Sequence, residues 1–185
     1  MIAFPGQLLW AWTGNAQATT EGAPVLSLYA AGTGLLTVSS YAAYLQFSYG
    51  KLRLHVVGNI LFLLLLVPLM AVLATHYGAV GAGFAWAALN AAYLFIWVPL
   101  VHRRFLPSLH WQWLLGDVGL IALPAAALAL LLRLGLHFPT DRLLVGLILA
   151  VIGTALVAVS VLTSTWLRRT AGGIAVGLLR RLHWA

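Results

Sequence analysis

The chain has 185 residues, 63% hydrophobic and 7% charged, with ten Lys+Arg against three Asp+Glu, and its mean hydropathy is +1.00. Ordinary soluble domains carry about 25% charged residues, so this composition excludes a soluble globular fold, a disordered chain and a collagen-like one. The net charge of +7 gives no reason to expect nucleic acid as a partner, because the basic residues fall in short clusters between apolar runs, where a bilayer accounts for them.

Crossing about 30 Å of hydrocarbon takes about 20 apolar residues at about 1.5 Å each. By that ruler the expected fold is all-α: a polytopic transmembrane helical bundle with five full spans, residues 24–46, 54–74, 80–101, 118–136 and 143–166, plus an N-terminal partial helix. Residues 1–22 read as the remnant of a preceding helix followed by an outer loop, 23–167 as the bundle, and 168–185 as a basic tail along the headgroups. The opening MIAFPGQLLWAW has neither a basic leading segment nor a small-residue cleavage site, so it does not read as a signal peptide.

The first span is the least lipid-like. Thr33, Thr37, Ser40, Tyr41, Tyr44 and Ser48 share one helical face. Such a face can line a water-filled cavity and bind sugar or phosphate oxygens. Equally, its hydroxyls can bond back to their own helix while Ala30 and Gly34 allow close packing. In the second span His55 and Asn59 lie one turn apart, and Pro68 removes a ladder hydrogen bond, making it a hinge candidate. A glycine turn at 77–83 leads to the third span, where Trp86, Asn90, Tyr93 and Trp97 lie close together around the helix. That face can stack a sugar ring, or it can be packing, with Asn90 bonding a neighbouring helix.

A loop at 106–116 places Trp111 and Trp113 at interfacial positions. The fourth span holds Pro124, a second hinge candidate, and Arg133, close enough to the end to snorkel. The fifth carries a ridge of Gly146, Ala150, Thr154 and Ala158 suited to close helix packing.

Charge sets the orientation. Lys51, Arg53, Arg103, Arg104, Arg168, Arg169, Arg180 and Arg181 fall on one side, and Arg133 and Arg142 on the other. The positive-inside rule puts the first side and the C-terminus in the cytoplasm, with Glu21, His76 and Asp141 outside.

Nothing in the pattern points to an enzyme, a metal or a cofactor. Without cysteine there is no disulfide, thiolate nucleophile or cysteine metal site. The six histidines fall in loops or at span ends, and Glu21, Asp117 and Asp141 are far apart. No GxSxG, HExxH, P-loop or GxGxxG motif occurs.

The stretch YAAGTGLLTVSSYAAYLQFSYGKLRLHVVGN, with Tyr49-Gly50-Lys51 closing one helix and Asn59 and Pro68 in the next, then HYGAVGAGFAWAALN and HRRFLP, resembles the C-terminal half of polysaccharide (O-antigen type) flippases of the multidrug/oligosaccharidyl-lipid/polysaccharide exporter superfamily. The resemblance covers about residues 4–115 and rests on the order and texture of helices. It implies a two-lobed transporter in a bacterial inner membrane, moving undecaprenyl-diphosphate-linked oligosaccharide between leaflets by alternating access. The first span would then correspond to the family's eighth helix, and the hydroxyl stripe, with Asn59 and Asn90, would face the substrate path. Lys51 and Arg53 become candidates to meet the diphosphate, although both also fit as ordinary positive-inside residues. The expected partners are membrane lipid, the lipid-linked oligosaccharide and an N-terminal lobe supplied in cis or in trans. Two alternatives stand beside this: a small non-enzymatic scaffold subunit of a glycan-assembly complex, and a drug/cation antiporter of the same superfamily, which would need a buried acidic residue that these spans lack.

Overall fold

The structure, a computed structural model, describes residues 1–164. The 168–185 tail, its arginines and the last residues of the expected fifth span lie outside the described residues. Among those described, every regular element is helical. The chain divides into two compact units, one made of Met1–His110 with Phe138–Gly146, the other of Trp111–His137 with the residues from Leu147 onward.

In the first unit, α1 (Pro5–Thr13) begins with proline in its first turn, where the missing N–H leaves no helical bond unmade. The chain turns at Gly14, and Asn15 Oδ1 accepts from the Ala18 N–H at 3.1 Å to cap α2 (Ala16–Ser48). The first span therefore starts at Ala16, well before residue 24, and the expected outer loop shrinks to Gly14 and Asn15. Local bonds make the polar stretch helical: Thr19 and Thr20 hydroxyls donate to the Asn15 and Ala16 carbonyls, and Gln17 Nε2 donates to Glu21 Oε1 at 2.9 Å. α1 folds back along α2, with Gly6 against Thr19 and Ala23. Phe4 is buried against Phe138, ring centroids 5.6 Å apart, and Trp10 Nε1 donates to the Thr140 carbonyl at 3.1 Å. Asp141 Oδ1 then accepts from the Leu143 and Leu144 N–H groups, capping α7 (Arg142–Thr163).

The next element, α3 (Arg53–Ala92), is two helices joined at Gly78, whose φ of 61° and ψ of −145° are closed to residues with a Cβ. There the chain reverses, and Phe62 in the first arm meets Trp86 in the second and Tyr93 just after it, at 6.3 and 5.8 Å between centroids. The expected second and third spans are these two arms, and the turn foreseen over 77–83 contracts to Gly78. Helical backbone angles continue through Pro68 and Pro124, so the break in α3 lies at the glycine and not at the proline hinge candidate.

After α3 comes one widened turn, Tyr93–Trp97, in which the Val98 N–H reaches back to the Tyr93 carbonyl. Pro99, lacking an N–H and crowding the carbonyl four residues back, accounts for the widening. α4 (Val98–Phe105) follows with Val98, Val101 and His102 buried. A short turn carrying Ser108 at φ 78° precedes α5 (Leu109–Trp111). The loop expected over 106–116 is thus mostly helical, because Leu109 and the apolar residues after it resume hydrogen bonding at once.

Tyr49 packs on Phe105 at 5.2 Å, which sets the α2–α3 turn beside the end of α4 and brings exposed Lys51, Arg53, Arg103 and Arg104 to one end of this unit. Ala79, next to the Gly78 reversal, borders the same surface as Ala18 and Glu21, so the acidic residue lies at the opposite end. Leu61, Leu63, Leu64, Leu65 and Val67 are uncovered, as side chains facing lipid are.

In the second unit the chain passes through a widened segment, Gln112–Gly119, into α6 (Leu120–Gly135), which exposes Leu123, Leu130, Leu131 and Leu134 and carries Arg133 in its last turn. In the part of α7 that belongs here, Thr154 donates to the Ala150 carbonyl, and Ala150, Thr154 and Ala158 are uncovered.

Four continuous helical segments, Ala16–Ser48, Arg53–Phe105, Leu109–Gly135 and Arg142–Thr163, are long and apolar enough to cross a bilayer, and the second doubles back at Gly78. The chain is a multi-pass membrane protein. Gly78→Ala should destabilise it by about 1–3 kcal/mol, the cost of holding alanine in that backbone region. Gly34→Ala, in a helix with open space around it, should be neutral or slightly stabilising. Thermal unfolding in nanodiscs checks this; equal midpoints for the two variants would remove the turn's dependence on glycine.

Candidate functional site

The site is built on α2. Gly32, Ser39, Ala42 and Gln46 are buried against the elements packed on this helix, whereas Thr33, Thr37, Tyr41 and Tyr44 are uncovered on the other side. Tyr41 is 58% exposed and Tyr44 65%, and their rings meet edge-on at 6.2 Å. The sequence-predicted hydroxyl stripe therefore exists as a face that the rest of the first unit leaves open. Its smaller hydroxyls bond along their own helix: Thr37 donates to the Thr33 carbonyl at 2.8 Å, Ser40 to Thr37 at 2.6 Å and Ser48 to Leu45 at 2.8 Å. Each keeps accepting lone pairs.

Beside this wall lies a cavity of about 310 Å³, lined by Ser39 and Ser40 of α2, His55, Asn59 and Phe62 of the first α3 arm, Trp86 of the second, and Tyr93. Its walls are mostly apolar, with polar groups on two sides. His55 and Asn59 are bonded across one helical turn, Nε2 to Nδ2, at 3.2 Å. Trp86 Nε1 donates to Thr33 Oγ1 at 3.4 Å, tying the aromatic cluster to the hydroxyl wall. Phe62 stands perpendicular to both Trp86 and Tyr93. The combination suits a ligand with a flat or apolar body and oxygens around it, held by ring contacts and hydrogen bonds.

Close approach of the helices makes this possible. The Trp86 ring occupies the space a side chain at Gly32 would fill, and Trp97 does the same over Gly58. Among the described residues, Gln46 Oε1, His55 Nδ1, Asn90 Oδ1 and Trp97 Nε1 are buried polar atoms without a hydrogen-bond partner. Where water is scarce, such atoms are costly to leave unpaired.

The structure brings Thr33, Ser40 and Asn59 together at or beside the cavity, and Thr37, Tyr41 and Tyr44 onto the adjoining wall. Asn90 does not join them: it is fully buried, and its Nδ2 donates to the Trp86 carbonyl at 2.8 Å. Lys51 and Arg53 lie on the exposed α2–α3 turn and line no part of the cavity. Ser39 and Phe62 were not foreseen, although Phe62 continues the helical row of His55 and Asn59. Nor was the meeting of His102 with His110, Nδ1 to Nδ1 at 3.1 Å. Among the described residues no three His, Asp or Glu side chains group so as to hold a metal ion.

Comparison with protein-family models, with curated proteins and with solved structures found no match.

Phe62 holds the cavity through two edge-to-face contacts, each worth about 0.5–1.5 kcal/mol. Phe62→Leu should therefore cost about 1–3 kcal/mol in denaturant unfolding in bicelles, and Leu64→Ala, at an exposed position that does not line the cavity, distinctly less. Equal losses would show that the aromatic cluster does not organise this unit.

Proposed function

We propose that the chain is the C-terminal part of a bacterial inner-membrane transporter that flips undecaprenyl-diphosphate-linked oligosaccharide, working with an N-terminal lobe in cis or in trans. One observation carries the reading: the hydroxyl and tyrosine face of α2 is left uncovered by the helices packed on α2. Polar side chains on a spanning helix turn away from lipid toward protein or a wet cavity. A second lobe across this face would enclose a polar path, with the aromatic cavity on its wall for sugar rings. Rocking of the two lobes would expose that path to each side in turn, and differential affinity of the two states would set direction. In this arrangement the basic end with Lys51, Arg53, Arg103 and Arg104 is cytoplasmic, as is the C-terminus, and Lys51 and Arg53 stand where a diphosphate would enter. The chain performs no bond chemistry in this reading.

The back-bonded hydroxyls of Thr37, Ser40 and Ser48 favour a second reading, a scaffold subunit of a glycan-assembly complex whose partner helix packs on the same face. Replacing Thr37, Tyr41 and Tyr44 together by Leu, in the native cell and with an epitope after Ala185 to follow membrane levels, separates the two. Transport predicts at least a tenfold fall in surface glycan at unchanged protein level, with lipid-linked precursor accumulating inside. A triple control at exposed apolar positions, Leu61, Leu64 and Leu65 replaced together by Ala, should leave export intact. Unchanged export in the triple Leu variant would overturn the transport reading, and loss of co-purifying assembly proteins would favour the scaffold.

A further inference from the structure

Lys51, Arg53, Arg103 and Arg104 gather at one end of the first unit, and two separate elements supply them. α2 closes with the Gly50 N–H donating to the Phe47 carbonyl at 3.0 Å and the Lys51 N–H donating to the Gln46 carbonyl at 3.1 Å. Gly50, at φ 63°, permits this double closure, which fixes where the chain leaves α2 and presents Lys51 and Arg53. The ring contact of Tyr49 with Phe105, 5.2 Å between centroids, holds that turn beside the last turn of α4, which carries Arg103 and Arg104. All four basic side chains are exposed. The carboxylates of this unit stand at its other end. Glu21 borders the same surface as Ala79, next to the Gly78 reversal, and Asp141 follows Thr140, whose carbonyl accepts from Trp10 of α1.

Away from the cations the surface turns apolar in two rows. Val57, Ile60 and Leu64 are uncovered along the first arm of α3, at helical spacing from Arg53, and Leu100 and Ile96 are uncovered behind Arg104. Each row is a strip of lipid-facing side chains that ends in a cation.

We propose that this end of the first unit is a binding site for an anionic phospholipid with two phosphates, of the diphosphatidylglycerol type. Charge complementarity sets the headgroup: the cations come as two pairs, Lys51 with Arg53 and Arg103 with Arg104, one pair for each phosphate. Arginine grips a phosphate through paired N–H groups, and lysine meets it as a point charge. The apolar rows select a lipid over free phosphate, because they offer acyl chains a path down the helices from the headgroup. Two rows select a lipid with several chains; a prenyl diphosphate, with one chain, fills one row only. Tyr49, 48% exposed beside the cations, has the amphipathic ring that suits headgroup depth. The proposal stands independently of the transport reading.

The test uses the full chain in neutral detergent, with lipid binding followed by native mass spectrometry. Diphosphatidylglycerol should bind at least about tenfold more tightly than phosphatidylglycerol at equal total phosphate. A basic residue near such a headgroup contributes about fivefold in affinity. Replacing Arg103 and Arg104 together by Gln, or Lys51 and Arg53 together by Gln, should therefore weaken binding at least about tenfold. Arg103→Lys with Arg104→Lys should keep most of the affinity, and it decides the matter if a Gln variant fails to fold. Arg133→Gln with Arg142→Gln removes the same charge at exposed positions elsewhere and should leave binding within about threefold. Equal affinity for the two phospholipids, or an equal loss in this control, would overturn the proposal by reducing the effect to general attraction toward anionic surfaces. Displacement of the lipid by equimolar inorganic diphosphate would assign the cations to free phosphate, and tighter binding of a prenyl diphosphate would assign them to a single-chain lipid; either result overturns the proposal.

Discussion

Two indole rings seated on two glycines hold the first unit together. Trp86 fills the hollow over Gly32 of α2, and Trp97 fills the one over Gly58 in the first arm of α3. Between helices in a bilayer there is little hydrophobic driving force, because lipid tails are as apolar as leucine. Association rests on close van der Waals contact, which small residues permit. The second arm and the turn after it are therefore wedged between the two preceding passages. This sets Phe62 against Trp86 and Tyr93, hollows out the cavity beside them, and leaves the opposite face of α2 uncovered.

That uncovered face has two chemical layers. Serine and threonine hydroxyls close to the backbone spend their protons on carbonyls of their own helix, so they can tolerate either an apolar or a polar neighbour. The tyrosines reach further and present phenol groups at a distance from the axis. A face with satisfied short hydroxyls and projecting tyrosines discriminates among neighbours mainly at its rim, where Tyr41 and Tyr44 stand. The cavity behind Thr33 is different in kind, because its aromatic walls are fixed to one another and its polar groups are held by the His55–Asn59 and Trp86–Thr33 contacts.

Much of this was legible in the amino-acid order. Uninterrupted apolar runs at about 20 residues announce spanning helices, and the turn near Gly78 and the shared face of Thr33 through Tyr44 follow from composition and the helical period. The early start of α2 was hidden because Thr19, Thr20 and Glu21 look like loop residues until their local bonds with Asn15, Ala16 and Gln17 are seen. Helical resumption at Leu109 was masked by the tryptophans, which suit a headgroup position equally well on a loop or a helix. Asn90 sits on the anticipated face yet turns inward, since its amide finds the Trp86 carbonyl one turn back. The histidine pair could not be read from spacing alone: its meeting depends on how sharply Pro107 and Ser108 turn the chain.

The widened turn at Tyr93–Trp97 is, in register terms, one residue more than an α-helix would use over the same rise. Everything after it is rotated by about 100° relative to an unbroken helix. That offset is what aims Val98, Val101 and His102 inward together while Arg103 and Arg104 point out. Loss of a single codon there would be absorbed as regular helix without disturbing the apolar length of the span. It would leave the inward row where it is, whereas straightening the turn with every residue kept would rotate that row by about 100° and part His102 from His110. The geometry of this end of the protein is thus held by a local miscount of residues per turn, to which hydropathy is blind.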